Sequence, residues 1–179
     1  MDKKSSIKKG NARIGRRVLL IDDSERDFSL IKKTLEESGR QVVMDYENVQ
    51  RLISNYDGYR TVPMEYSAMF KECLLKQIGT FLEEQDLIWI IDVCWLADNP
   101  SSFIERYGID FLREFKPRNP ILISVSPNEV YSSLIEGVKF VCKRSNTGEL
   151  MNGQFTRWLN EAVTYYDSHS MEEHLLFSF

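Results

Sequence analysis

Three aspartates and one lysine carry the chemistry open to this sequence. Asp22 and Asp23 follow the apolar run Val18-Leu19-Leu20-Ile21. Asp92 follows Leu87-Ile88-Trp89-Ile90-Ile91, and Lys143 follows Lys139-Phe140-Val141-Cys142. Charges that end apolar strands converge when those strands lie parallel, because an open α/β sheet forms its ligand site at the carboxyl ends of its strands. Three carboxylates in one place repel each other and call for a cation. All-oxygen donors favour a hard ion, Mg²⁺ ahead of any softer metal. Singly, each residue has a plainer reading: paired aspartates cap helices, a strand-end aspartate caps a loop, and a lone lysine sits at the surface. Their common placement points to a site.

The elements that must position these residues follow from periodicity. The apolar residues before Asp22 and Asp92 are consecutive rather than alternating, which indicates strands buried on both faces. Ser24 opens a helix with Asp27 at capping-box spacing; it runs through Phe28, Leu30, Ile31 and Leu35 to Ser38-Gly39. A short strand follows at 41–44. The stretch 45–66 holds Asn55, Gly58, Pro63 and four tyrosines without a sustained period. It is taken as an insertion or elaborated crossover, with room for a helix at 47–54. A helix is expected at 66–84, with Met69, Phe70, Cys73, Leu74, Ile78, Phe81 and Leu82 as its apolar stripe. Strand 87–91, helix 103–115 and strand 121–125 come next, the last introduced by Pro117 and Pro120. Ser126-Pro127-Asn128-Glu129 opens a helix that ends near Gly137. Strand 139–142 leads to a last helix that starts near Thr147 or Glu149 and includes Phe155, Trp158, Leu159, Ala162 and Val163. Five β-α repeats predict an α/β fold: a doubly wound, five-stranded parallel sheet with helices on both faces.

Bulk composition narrows the function classes. The chain has 179 residues and no internal repeat, which suits one domain at 17–166 between a basic arm at 1–16 and a tail at 167–179. Apolar runs of five or six residues are too short to cross a bilayer, so no membrane span is expected, and membrane-surface contact, open to a basic arm on an acidic body, is disfavoured. The basic N-terminus lacks the apolar segment of a signal peptide. Cys73, Cys94 and Cys142 show no metal-ligand spacing, and both histidines, His169 and His174, lie in the tail. Zinc and histidine-based catalysis are disfavoured, and a cytoplasmic, reducing location is the expectation. Residues 1–17 carry seven Lys/Arg against one Asp, a local +6 on a chain of net −4. No aromatic interleaves with these charges, so a base-stacking nucleic-acid surface is not indicated, and a solvated arm is the simpler reading.

Taken together, the motifs resemble a known family. Val18-Leu19-Leu20-Ile21-Asp22-Asp23-Ser24 resembles the opening of a response-regulator receiver domain. Ile90-Ile91-Asp92 resembles its phosphoacceptor strand, Phe140-Val141-Cys142-Lys143 its last strand with the lysine, and Gly108-Ile109-Asp110-Phe111-Leu112-Arg113-Glu114 the start of its third helix. The resemblance covers about 17–166 apart from the insertion at 45–66. It implies the flavodoxin-like strand order 2-1-3-4-5. It implies that Asp92 accepts a phosphoryl group from a histidine kinase or phosphotransfer protein. Mg²⁺ would be held by Asp22, Asp23, Asp92 and the backbone carbonyl of Cys94. Lys143 would pair with the phosphoryl oxygens, and Phe140 would swing with a hydroxyl at the end of the fourth strand. The protein would be a phosphoacceptor rather than an enzyme, beyond catalysing its own phosphorylation and dephosphorylation. Phosphoryl transfer asks for little else: in-line positioning, charge cancellation and a carboxylate nucleophile.

Several positions depart from the family pattern. The family's hydroxyl position falls on Val125; Ser124 and Ser126 flank it, and Ser126 is taken as a helix cap, which leaves Ser124. Arg144 follows the lysine where the family usually has proline, and the loop Val93-Cys94-Trp95-Leu96-Ala97 lacks its Met-Pro pair. The connection between the first and third strands is longer than the family's, and that between the fourth and fifth is shorter.

The leading expectation is a stand-alone receiver without a DNA-binding module, whose output runs through protein–protein contacts, a homodimer among them. The alternative is a receiver-like adaptor that binds partners without phosphorylation. A phosphatase of the haloacid-dehalogenase type is disfavoured, because it needs an acid where Cys94 stands. The insertion, with Tyr46, Tyr56, Tyr59, Tyr66 and Met64, is expected to be a contact surface separate from the site. The apolar end at 175–179 is expected to pack back on the domain.

Overall fold

The computed structural model describes residues 16–95, 107–125, 138–144 and 147–168. Its sheet has five parallel strands in the order β2-β1-β3-β4-β5. These are β1 (Arg17–Ile21), β2 (Gln41–Val42), β3 (Ile88–Asp92), β4 (Pro120–Ser124) and β5 (Lys139–Cys142). Val18 to Ile21 and Leu87 to Ile91 are fully buried, as strands covered on both faces must be. The strand order reverses between β1 and β3, which creates the crevice where such sheets bind ligands. Register makes that crevice acidic. Ile21 pairs with Ile91, so Asp22 and Asp92 emerge side by side.

Helix α1 (Glu25–Glu37) buries Phe28, Ile31 and Leu35 and stops before Gly39, whose φ of +80° suits the turn into β2. Between β2 and β3 lie two helices, α2 (Tyr46–Thr61) and α3 (Met64–Glu83). The stretch 45–66, read as an insertion or elaborated crossover with room for a helix at 47–54, is helical over most of its length. Asp45 caps α2 by accepting from the Asn48 amide at 2.8 Å, and Val49, Leu52, Ile53 and Tyr56 form a buried stripe at i, i+3, i+4 and i+7. Asn55, Gly58 and the tyrosines mask that period in the sequence. Gly58 has a packing role, since a Cβ there would strike the Phe70 ring of α3. Helix α3 is the addition to simple β-α alternation. Of its expected stripe, Leu74 and Ile78 are buried, Phe70, Phe81 and Leu82 are half-buried, and Met69 and Cys73 face solvent.

Helix α4 (Tyr107–Phe115) precedes β4, and α5 (Gly153–Ser168) follows β5. Helix α5 starts later than expected. Asn152 Oδ1 accepts from the Gln154 and Phe155 amides at 3.0 and 3.4 Å, and ahead of it Arg144 and Leu150 form an isolated antiparallel bridge. Right-handed crossovers in this order set α1 and α5 on one face and the helices between β2 and β4 on the other. The contacts agree: Arg40, just after α1, meets Asp167 of α5 at 2.6 Å, and Tyr56 of α2 packs edge-on against Tyr107 and Phe111 of α4. Ser126 and the helix expected at 126–137, most of the basic arm and the 175–179 segment lie outside the described residues.

Candidate functional site

Four charged side chains meet at the carboxyl end of the sheet. Asp22, directly after β1, is fully buried; its Oδ1 accepts from the Ser24 amide at 3.0 Å and its Oδ2 meets Lys143 Nζ at 2.7 Å. Asp92 ends β3. Its Oδ1 lies 3.0 Å from Lys143 Nζ, and its Oδ2 accepts from the Cys94 amide at 3.2 Å. Asp23 is half-buried, and one carboxylate oxygen from each of Asp22, Asp23 and Asp92 falls within a 4.8 Å cluster. Lys143 follows β5, with its amide on the Ser124 carbonyl at 2.7 Å and only 4% of its side chain exposed.

One member of the site was not anticipated. Asp27 Oδ2 lies 3.1 Å from Lys143 Nζ, so a fourth carboxylate joins from α1. The sequence points to Asp27 as half of a capping box, and the backbone half is present: Ser24 Oγ accepts from the Asp27 amide at 3.3 Å. In a full box the N3 carboxylate would return to the cap amide. Here Asp22 Oδ1 already accepts from the Ser24 amide, and the Asp27 carboxylate turns to Lys143 instead.

The charges do not balance. Burial pushes Asp92 up to about 7, with Lys143 pulling the other way and Asp22 adding repulsion. Burial likewise pushes Asp22 up to about 6 against the pull of Lys143. Burial alone would lower the pKa of Lys143, but Asp92, Asp22 and Asp27 reverse this and hold it above the ordinary lysine value. Burial disfavours the charged form of both carboxylates, repulsion from the neighbouring carboxylates adds to it, and the same carboxylates keep the proton on Lys143. The donor set therefore fits a hard divalent cation: clustered carboxylate oxygens with more negative charge than Lys143 offsets.

Backbone packing holds the acids in place. Gly108, at the start of α4, donates to the Val93 carbonyl at 3.1 Å, and a Cβ on it would run into the Asp92 carbonyl oxygen. Trp95 packs against Tyr56 and Phe111 and is fully buried. Part of the 45–66 stretch also reaches the site, contrary to expectation: Tyr46 Oη and Gln50 Nε2 both donate to the Asp23 carbonyl. The tyrosines of that stretch are mostly turned inward. Tyr56 is buried, Tyr59 donates to Glu114 at 2.6 Å, and only Tyr66 and Met64 are strongly exposed.

Two residues were expected to act as switches, Ser124 and Phe140. Ile123 is the β4 residue level with Asp92, and the pleat turns the next residue, Ser124, toward the opposite face. Ser124 is buried, and its carbonyl accepts from the Lys143 amide at 2.7 Å. Phe140 is half-buried in a groove between β5 and α5, beside Trp158, Ala162 and Tyr165.

Comparison with known proteins adds little to this geometry. No family model matches the sequence. No curated protein matches it either. Among solved structures the chain is similar to a response regulator from Thermotoga maritima, at 15% sequence identity and a TM-score of 0.44, over 84% of this chain and 98% of that one. At those values the likeness carries no weight for function; the flavodoxin-like strand order rests on the sheet itself. Among the described residues no helix is long and apolar enough to cross a membrane.

Proposed function

We propose that this chain is a phosphoacceptor of the receiver type: Asp92 takes a phosphoryl group from a histidine kinase or phosphotransfer protein, and the signal leaves through protein contacts. The observation that carries this reading is the Lys143 ammonium 3.0 Å from the Asp92 carboxylate, within a cluster that holds excess negative charge. Asp22, Asp23 and Asp92 would hold Mg²⁺, with the Cys94 carbonyl as a further donor. Bound there, the ion would offset the charge of the incoming phosphoryl oxygens.

The chain's own residues supply the remainder. The Cys94 amide and Lys143 orient the Asp92 carboxylate from its two oxygens. Gly108 admits α4 against the peptide that carries it. An Asp92 oxygen bonds to phosphorus as the donor's bond to phosphorus breaks, and the leaving group keeps the electron pair. Lys143 then faces phosphoryl oxygens in place of a free carboxylate.

The test is intact-mass measurement after incubation with Mg²⁺ and acetyl phosphate. The wild type should gain one phosphoryl group, and Asp92→Asn should gain none. An unchanged wild-type mass would favour the second reading, an adaptor that binds partners without phosphorylation. The specific observation behind that reading is the exposed start of α3, where Met64 is 91% and Tyr66 57% accessible.

A further inference from the structure

Asp27 stands apart from the other carboxylates around Lys143. It ends no strand, it is outside the carboxylate trio, and it approaches the ammonium from α1. We propose that Asp27 is a positioning residue for cation entry: it keeps the Lys143 ammonium paired while a divalent cation occupies Asp22 and Asp92. The proposal rests on the reading of Asp22, Asp23 and Asp92 as a Mg²⁺ site.

An ammonium has three N–H donors and no acceptor. Lys143 has a carboxylate at hydrogen-bonding distance for each of them: Asp22 at 2.7 Å, Asp92 at 3.0 Å and Asp27 at 3.1 Å. Its side chain is 4% exposed, so water is poorly placed to replace a lost partner. A cation at the trio draws on the Asp22 and Asp92 carboxylates that also hold Lys143, and a buried ammonium with weakened partners is strongly unfavourable. Asp27 lies outside that competition. Its amide is held by Ser24 Oγ, and the cap amide that could have recruited its carboxylate is occupied by Asp22 Oδ1. The carboxylate is left on Lys143 whether or not the trio is engaged elsewhere. Without it the ammonium would depend on the two carboxylates the cation requires.

The test is Mg²⁺ binding by the full chain, followed by tryptophan fluorescence and calorimetry, with thermal unfolding as the check on folding. Asp27→Asn should weaken Mg²⁺ binding about tenfold, and Asp27→Glu should recover part of the loss. A double-mutant cycle then asks whether Asp27 acts through Lys143. In a Lys143→Met background, Asp27→Asn should change Mg²⁺ affinity less than about twofold. An equal loss in both backgrounds would mean that Asp27 acts as a bare charge, and no loss in the otherwise wild-type chain would mean that it does not assist the cation; either overturns the proposal. A wild type that binds no Mg²⁺ overturns the metal reading itself, a result distinct from both.

Discussion

The phenol of Tyr46, in the first turn of α2, donates to the backbone carbonyl of Asp23 at 2.7 Å. Gln50, one turn later, adds a longer bond of 3.4 Å to the same oxygen. Helix α2 thus anchors the loop that presents Asp23. Tyr46→Phe should cost about 1 kcal/mol of stability and weaken Mg²⁺ binding several-fold by loosening that loop. Chemical denaturation and Mg²⁺ titration measure the two effects separately. Lost stability with unchanged Mg²⁺ affinity would show that the bond serves the fold alone.

Gly108 should tolerate no side chain. Its missing Cβ lets α4 begin against the Asp92 carbonyl. Gly108→Ala must move either α4 or the end of β3, at roughly 1–3 kcal/mol, and phosphoryl acceptance at Asp92 should fall with stability. The measurements are the denaturation midpoint and the extent of acetyl phosphate labelling. A fully stable, fully labelled Gly108→Ala protein would contradict the packing described here.

Without added metal the protein should lose stability as pH rises from mild acid to neutrality. Asp22 and Asp92 are raised from 3.8 to about 6 and about 7 by burial, partly opposed by Lys143. A carboxyl group with a raised folded-state pKa contributes stability that is fully present below its unfolded value and lost as pH climbs through the folded value. The loss should therefore run from about pH 4 to pH 7. Thermal scans across that range measure the slope, and Asp92→Asn should flatten it. Saturating Mg²⁺ should raise the midpoint at pH 7.5 far more than at pH 4.5, because it binds the ionised carboxylates.

Tyr56 offers a test of the core. Its ring packs against Trp95, Tyr107 and Phe111, and its buried hydroxyl has no hydrogen-bond partner among the described residues. Tyr56→Phe should leave stability unchanged or raise it by about 1 kcal/mol, since it removes an unsatisfied polar group and keeps the ring. Tyr56→Ala should cost roughly 3–5 kcal/mol. Excision of 55–64 should unfold the domain rather than detach a surface appendage, because it removes Tyr56 and the end of α2. Denaturant titration of the three variants decides the order.

What the sequence by itself determined was the sheet and its acidic edge. Consecutive apolar residues before Asp22 and Asp92 mark strands buried on both faces, a shorter apolar run precedes Lys143, and parallel strands deliver their last residues to one edge. Asp22, Asp92 and Lys143 were legible for that reason: strand-end position is a local property that register converts into proximity. Helix α2 was legible only in part, as room for a helix at 47–54, since its buried stripe of Val49, Leu52, Ile53 and Tyr56 is interrupted by Asn55 and followed by Gly58, whose role depends on the Phe70 ring of another helix. Asp27 was legible as a cap neighbour, and its carboxylate partner was not. That partner lies 116 positions away and is available because Asp22 holds the cap amide. Tertiary structure decided which charges share Lys143, because a buried ammonium selects its partners by distance and burial, and neither is a property of local sequence.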